Sequence, residues 1–193
     1  MTRKAKTFIA FLLPWLLVPG FAGAVSARSE AGPGTLQERQ LKAAFVYNFV
    51  QFVRWPDDAF ADPLSPLVLC AVGEDRAGSE LDALSGRSAH GRSLAVKHAA
   101  TLEAAGACHV LYLDGATAER STQSGLKPAG KAVLTIADQP GFAARGGMIN
   151  FYQAEGRIRF AINPAAVQRS GLSVSSKLLN LAEIVAEPGE KRR

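Results

Sequence analysis

Few residues of this chain are arranged as catalytic machinery, and the arrangements that come nearest resolve into structural roles. The segment "GGMINFYQAEGRIRFAINP", Gly146 to Pro164, begins with a double glycine that runs into an apolar stretch. Such glycines cradle a phosphate when a strand precedes them and a helix opens after them, because free backbone N–H groups then point at the anion. Here the order is reversed: "DQPGFAAR" reads as a short helix and "MINFYQA" as a strand. Gly146 is then the left-handed residue that closes a helix, and Gly147 completes the turn. Asp57-Asp58, directly after Trp55-Pro56, reads as a turn cap rather than a carboxylate pair. Glu74-Asp75 ends an apolar run, the place where α/β proteins bind ligands; solvated acids at a helix start are the other reading. His109 beside Cys108 reads as a packed or edge histidine, and Cys70, Cys108, His90, His98 and His109 lack metal-ligand spacing. No G-x-S-x-G, G-x-x-x-x-G-K-[ST], H-E-x-x-H or C-x-x-C is present. The balance favours a binding or regulatory protein over an enzyme, with no metal and no cofactor.

The amino end sets the compartment. Arg3, Lys4 and Lys6 precede an apolar stretch from Phe8 to about Ala24, followed by the small residues of "AGAVSA". That is the layout of a secretory signal peptide, assigned to residues 1–27. A transmembrane anchor is the competing reading, but Pro14, Pro19, Gly20 and Gly23 interrupt a run shorter than the roughly 20 apolar residues of a span. The whole chain carries 22 basic and 17 acidic side chains, net +5; without the leader the balance is 19 to 17, net +2. A nucleic-acid role therefore gains little support, since it calls for a basic stripe on the folded domain. Two cysteines in an exported chain read as a disulfide; two buried free thiols on strands satisfy the same count.

The elements follow from periodicity. "LQERQLKAAFVYNFVQFVR" predicts a helix from about Leu36 to Arg54, apolar nearly all round and so buried or covered by a partner. Strands are expected at Pro66–Gly73, Ser93–Ala99, Cys108–Asp114 and Lys131–Asp138, with helical stretches between them. That alternation predicts an α/β domain, a mainly parallel sheet flanked by helices. "MINFYQA" and "RIRFAI" form a hairpin around Glu155-Gly156, with Asn150, Tyr152, Arg157 and Arg159 on its outer face. Asn163-Pro164 starts a helix that Gly171 stops, and a second C-terminal helix runs from about Ser175 through Val185. Residues 187–193 read as a frayed tail.

"LKAAFVYNFVQFVRWPDDAF", "PLVLCAVGED", "ACHVLYL", "GFAARGGMINF" and "INPAAVQRSGLSVSSKLL", in this order and spacing, resemble the YfiR family of periplasmic proteins. The resemblance assigns residues 36–186 to a YfiR-like domain. It implies a periplasmic repressor that binds the sensor portion of a membrane-bound diguanylate cyclase, lowering cyclic-di-GMP and biofilm formation. An OmpA-like outer-membrane lipoprotein as antagonist and a homodimer are further implications. Cys70 and Cys108 match the family's cysteine pair, which implies a disulfide; the chain has no cysteine after Cys108, so a second one has no counterpart here. Phe151, Tyr152, Arg157 and Arg159 are the expected partner-binding residues, since aromatics and arginines dominate interface hot spots. A small-molecule sensor with its pocket near Glu74 and Asp75, or an accessory subunit of an outer-membrane transport system, are the other readings.

Overall fold

The computed structural model describes residues 35–73, 78–130 and 132–186. The expected leader, the expected tail and the Glu74-Asp75 pair lie outside the described residues. Helix α1 spans Leu36–Phe52. Thr35 caps it, its hydroxyl accepting the Glu38 N–H at 3.0 Å, so the Thr-x-x-Glu pattern of a capping box marks the start. The helix ends two residues earlier than its sequence suggests. Val53–Arg54 turn extended as β1 and pair antiparallel with β9, Ser173–Val174. A β-branched residue and the approach of Pro56 both favour that exit.

Between β1 and β9 run β2 (Leu67–Val72), β3 (Ser88–Ala89), β4 (Arg92–Ala99), α2 (Leu102–Ala105), β5 (Val110–Leu113), α3 (Gly115–Gln123), β6 (Leu134–Ala137), β7 (Ile149–Ala154), β8 (Arg157–Ile162) and α4 (Pro164–Arg169). Single 3-10 segments occupy Asp57–Ala59, Ser79–Leu84 and Ala143–Arg145. After β9 come α5 (Ser176–Leu179) and β10 (Glu183–Ile184). The main sheet has eight strands in the order β10-β8-β7-β6-β5-β2-β4-β3. β4, β2, β5, β6 and β7 are mutually parallel, β7 and β8 form the expected antiparallel hairpin, and β3 is antiparallel to β4. Within the parallel part the chain leaves β2 for β4 on one side and returns past it to β5 on the other. The strand order therefore reverses between β2 and β5.

Two apolar layers hold the sheet, which is why its central strands are continuously apolar rather than alternating. On one face Leu67, Leu69, Val110, Leu134 and Ile136 pack against Val46, Phe49 and Val50 of α1. On the other, Cys70, Val72, Leu111 and Leu113 meet Ala118 of α3 and Phe142. Phe142 also explains Gly147, where an added Cβ would lie 2.1 Å from the Phe142 ring. Gly146 has φ 98°, the left-handed helix stop expected of it. At the hairpin tip both Glu155 (φ 53°) and Gly156 (φ 69°) are left-handed, as a two-residue primed turn requires.

The C-terminal segment departs from expectation. The helix after Ser175 lasts one turn, and Glu183–Ile184 join the sheet parallel to β8, Glu183 opposite Ala161 and Ile184 opposite Ile162. The exposed edge of β8 offers backbone partners, and Val185 N–H donates to the Ile162 carbonyl at 2.9 Å. That pairing replaces the helix that local propensity favoured. Among the described residues no helix is long and apolar enough to cross a membrane.

Candidate partner-binding surface

The hairpin register sorts its side chains. Phe151 faces Phe160, whereas Tyr152 faces Arg159 and Ala154 faces Arg157 across the two strands. Directly opposed residues share a face. Phe151 and Phe160 thus point inward with Ile149 and Ile162, and the ring of Phe49 from α1 lies 5.7 Å from Phe151 and 4.9 Å from Phe160. Phe151 is 1% exposed. It is a core residue and offers no surface to a partner, which removes it from the expected contact set. Tyr152 is half-buried while Arg157 and Arg159 are exposed, and these three share the opposite face. Partial burial, then the neighbouring Glu183 carboxylate of β10, push the Tyr152 hydroxyl above its usual pKa, with Arg159 opposing. Glu183, opposite Ala161, therefore extends this face sideways, whereas Ile184, opposite Ile162, is exposed on the other face.

Asn150 departs from the outward role given by strand alternation. It is 2% exposed; its Oδ1 accepts the Ala143 N–H at 3.0 Å and its Nδ2 donates to the Phe151 carbonyl at 3.2 Å. Asn163, fully buried, donates from Nδ2 to the Ala143 carbonyl at 3.0 Å while its Oδ1 caps α4 through the Ala166 N–H. One buried peptide residue is thus gripped at both its N–H and its C=O by two asparagines. Burial of those groups without partners would be costly.

Cys70 and Cys108 form the disulfide, their Cα atoms 6.1 Å apart. His109 is a structural bridge: Nδ1 accepts the Val68 N–H at 3.0 Å and Nε2 lies 3.1 Å from the Ala59 carbonyl, which fixes Nε2 as the protonated nitrogen. Its ring stacks on Phe60, which in turn carries the Arg92 guanidinium. Burial first, and the Arg92 charge, hold His109 below its ordinary pKa, against the Ala59 carbonyl. His98 bonds to Asp82 and His90 to the Val50 carbonyl. Asp57-Asp58 open the expected turn.

A crevice not foreseen at these residues lies at the carboxyl ends of β2, β5 and β6, where the strand order reverses. It encloses about 400 Å³ and is lined by Arg39, Glu80, Tyr112, Asp114 and Asp138 among others. Arg39 Nε donates to Glu80 at 2.8 Å, and the buried Lys42 Nζ reaches both Asp138 oxygens at 2.8 and 2.7 Å while pairing with Glu38. The signal was in the sequence: "VLYLD" and "LTIAD" each place an aspartate one residue past a buried parallel strand, the position where open α/β sheets meet ligands.

No curated protein matches this chain. Among solved structures, a conserved domain protein from Vibrio cholerae O1 biovar El Tor superposes with a TM-score of 0.51 at 12% identity. The match covers 76% of this chain and 60% of that one, and at such identity it speaks to the fold alone. The YfiR/HmsC-like family matches residues 39–183, from within the first helix into the last strand, with the disulfide strands and the hairpin inside the match. The chain belongs to the YfiR/HmsC-like family.

Proposed function

We propose that this chain is a periplasmic regulatory protein that binds the periplasmic sensor portion of a membrane-bound diguanylate cyclase and represses it, lowering cyclic-di-GMP and biofilm formation. Family membership over residues 39–183 carries the reading. The hairpin supports it: Tyr152, Arg157 and Arg159 form an outward aromatic and cationic face on a rigid two-stranded base. Rigid presentation lowers the entropy a side chain loses on binding. In this reading residues 1–27 direct export, the protein is not an enzyme and works as a homodimer, and an OmpA-like outer-membrane lipoprotein relieves repression by sequestering it. Choosing between two partners requires only a difference in affinity.

The test is the cyclic-di-GMP level of the native host with the gene deleted, restored, or restored as the R157E/R159E double variant. Deletion raises the level and the wild-type protein lowers it again. The double variant fails to lower it, yet unfolds within about 0.5 kcal/mol of wild type, because both arginines are exposed. An unchanged level on deletion, with the protein expressed and folded, refutes repression. Full complementation by the double variant refutes this face as the contact.

A further inference from the structure

The outer edge of β8 is only partly used. Val185 N–H donates to the Ile162 carbonyl, so the backbone groups of Ile162 point toward β10. The two-residue period of a strand sends those of Phe160 and Ile158 out along the same edge. β10 pairs only with Ala161 and Ile162. Before Glu183 the chain turns back on itself, with Leu181 N–H on the Leu178 carbonyl and Ala182 N–H on that of Leu179, instead of following β8. Because β10 is parallel to β8, it leads toward the Ile162 end and away from Arg157. The Phe160 N–H and both backbone groups of Ile158 are thus left without a ladder partner among the described residues. Such an edge is a template for one more strand.

The side chains along the edge select the strand that fits. On the outer face Arg157 and Arg159 are exposed, and neither joins an ion pair among the described residues. Same-face neighbours on a strand lie about 7 Å apart, so carboxylates at alternate positions of an added strand meet both arginines at once. On the inner face Ile158 is only half-buried. β10 already shows the pattern that this edge accepts: Glu183 meets the Tyr152 hydroxyl on the outer face, and Ile184 stands on the inner one. We propose that the open edge of β8 takes up an extended segment of a partner protein in which acidic and apolar residues alternate, its backbone pairing with Ile158 and Phe160 and its carboxylates meeting Arg157 and Arg159. This is recognition by strand addition, in which main-chain bonds give affinity and alternate side chains give specificity. The proposal rests on the hairpin as the contact face and adds the form and charge of what binds there.

The test uses the purified mature protein and two peptides, acetyl-Ser-Glu-Val-Glu-Val-Glu-Ser-amide and its counterpart with lysine for each glutamate. Binding is read from the amide resonances of Ile158 and Phe160, and pairing from hydrogen exchange at Ile158. The acidic peptide shifts both resonances saturably and slows exchange at Ile158, and the lysine peptide binds roughly tenfold more weakly or worse. The R157E/R159E double variant reverses that preference. The proposal is overturned if the acidic peptide shifts neither resonance at millimolar concentration, if the lysine peptide binds equally well, or if exchange at Ile158 is unchanged in the complex. It is overturned too if Ile158 becomes protected with rising protein concentration and no peptide, which assigns the edge to a second copy of this chain. The comparison of the two peptides on the wild-type protein stands without any variant. Failure of the peptides alongside loss of repression in R157E/R159E removes strand addition and keeps the hairpin face. Binding of the acidic peptide with repression intact in R157E/R159E removes the hairpin as the cyclase contact instead.

Discussion

Severing the Cys70–Cys108 bridge acts mainly on the unfolded chain. The bond links β2 to the residues just before β5, adjacent parallel strands, so the folded protein holds the two backbones together through the ladder in any case. The unfolded chain has no such ladder. There the bond closes a loop spanning 38 residues, which the chain-entropy relation values at about 4 kcal/mol. For a chain of this size about 4 kcal/mol corresponds to a fall in melting temperature of roughly 8–16 °C. The perturbation is the Cys70→Ala/Cys108→Ala double variant, with wild type melted under strong reductant as its partner. Thermal melts by circular dichroism at pH 7.5 supply the midpoint, and urea titration supplies the slope. Both reduced wild type and the variant melt in the lower range and unfold with a steeper urea dependence, because an uncrosslinked chain exposes more surface. A fall of less than about 3 °C, well short of the expectation from that relation, refutes the loop-closure account. An unchanged urea slope with a large fall would place the bond's effect in native packing instead.

Other consequences are as direct. His109 must be neutral to accept the Val68 N–H, and its pKa is lower folded than unfolded; the unfolded state therefore binds more protons in that window. Stability is full above the unfolded value, near 6.5, and is lost as pH falls through the folded one, so urea midpoints drop between pH 7.5 and 5; in His109→Gln that part of the slope disappears. Lys42→Met keeps the aliphatic stem but removes the cation that sits between the Glu38 and Asp138 carboxylates. Asp138 is 38% exposed, so the cost is about 2 kcal/mol by urea unfolding, below the 3–5 of a fully buried pair. Phe49→Ala empties the centre of the Phe45–Phe151–Phe160 cluster and costs about 3–5 kcal/mol, with faster hydrogen exchange in β7 and β8 as the local readout.

Periodicity and turn chemistry were legible because they are local. The helix start at Thr35, the parallel strands, the stop at Gly146, the primed turn at Glu155-Gly156 and the Asn163-Pro164 cap each depend on a few neighbouring residues, and each is where the sequence puts it. What escaped depends on distant partners. Strand alternation turns Asn150 outward, and only the Ala143 turn packed over it converts that position to an interior one. Phe151 joined an aromatic-and-arginine grouping that register then divides between two faces. Ser176 to Ile184 has the apolar content of a helix, but β8's edge supplies a competing set of hydrogen bonds that no local signal announces. Lys42 looks like a solvated helix residue until Asp138, 96 positions later, closes on it.

The aromatic seal between α1 and the hairpin also orders events in time. Phe45 and Phe49 are among the first apolar residues of the domain, and the rings that cover them, Phe151 and Phe160, come about 100 residues later. A chain delivered amino end first leaves those two rings uncovered for about half of its delivery. It waits for a lid supplied by the last quarter of the sequence. Any interruption of delivery before the hairpin leaves the Phe45 and Phe49 side of α1 without the rings that cover it, the kind of surface that folding helpers and proteases recognise.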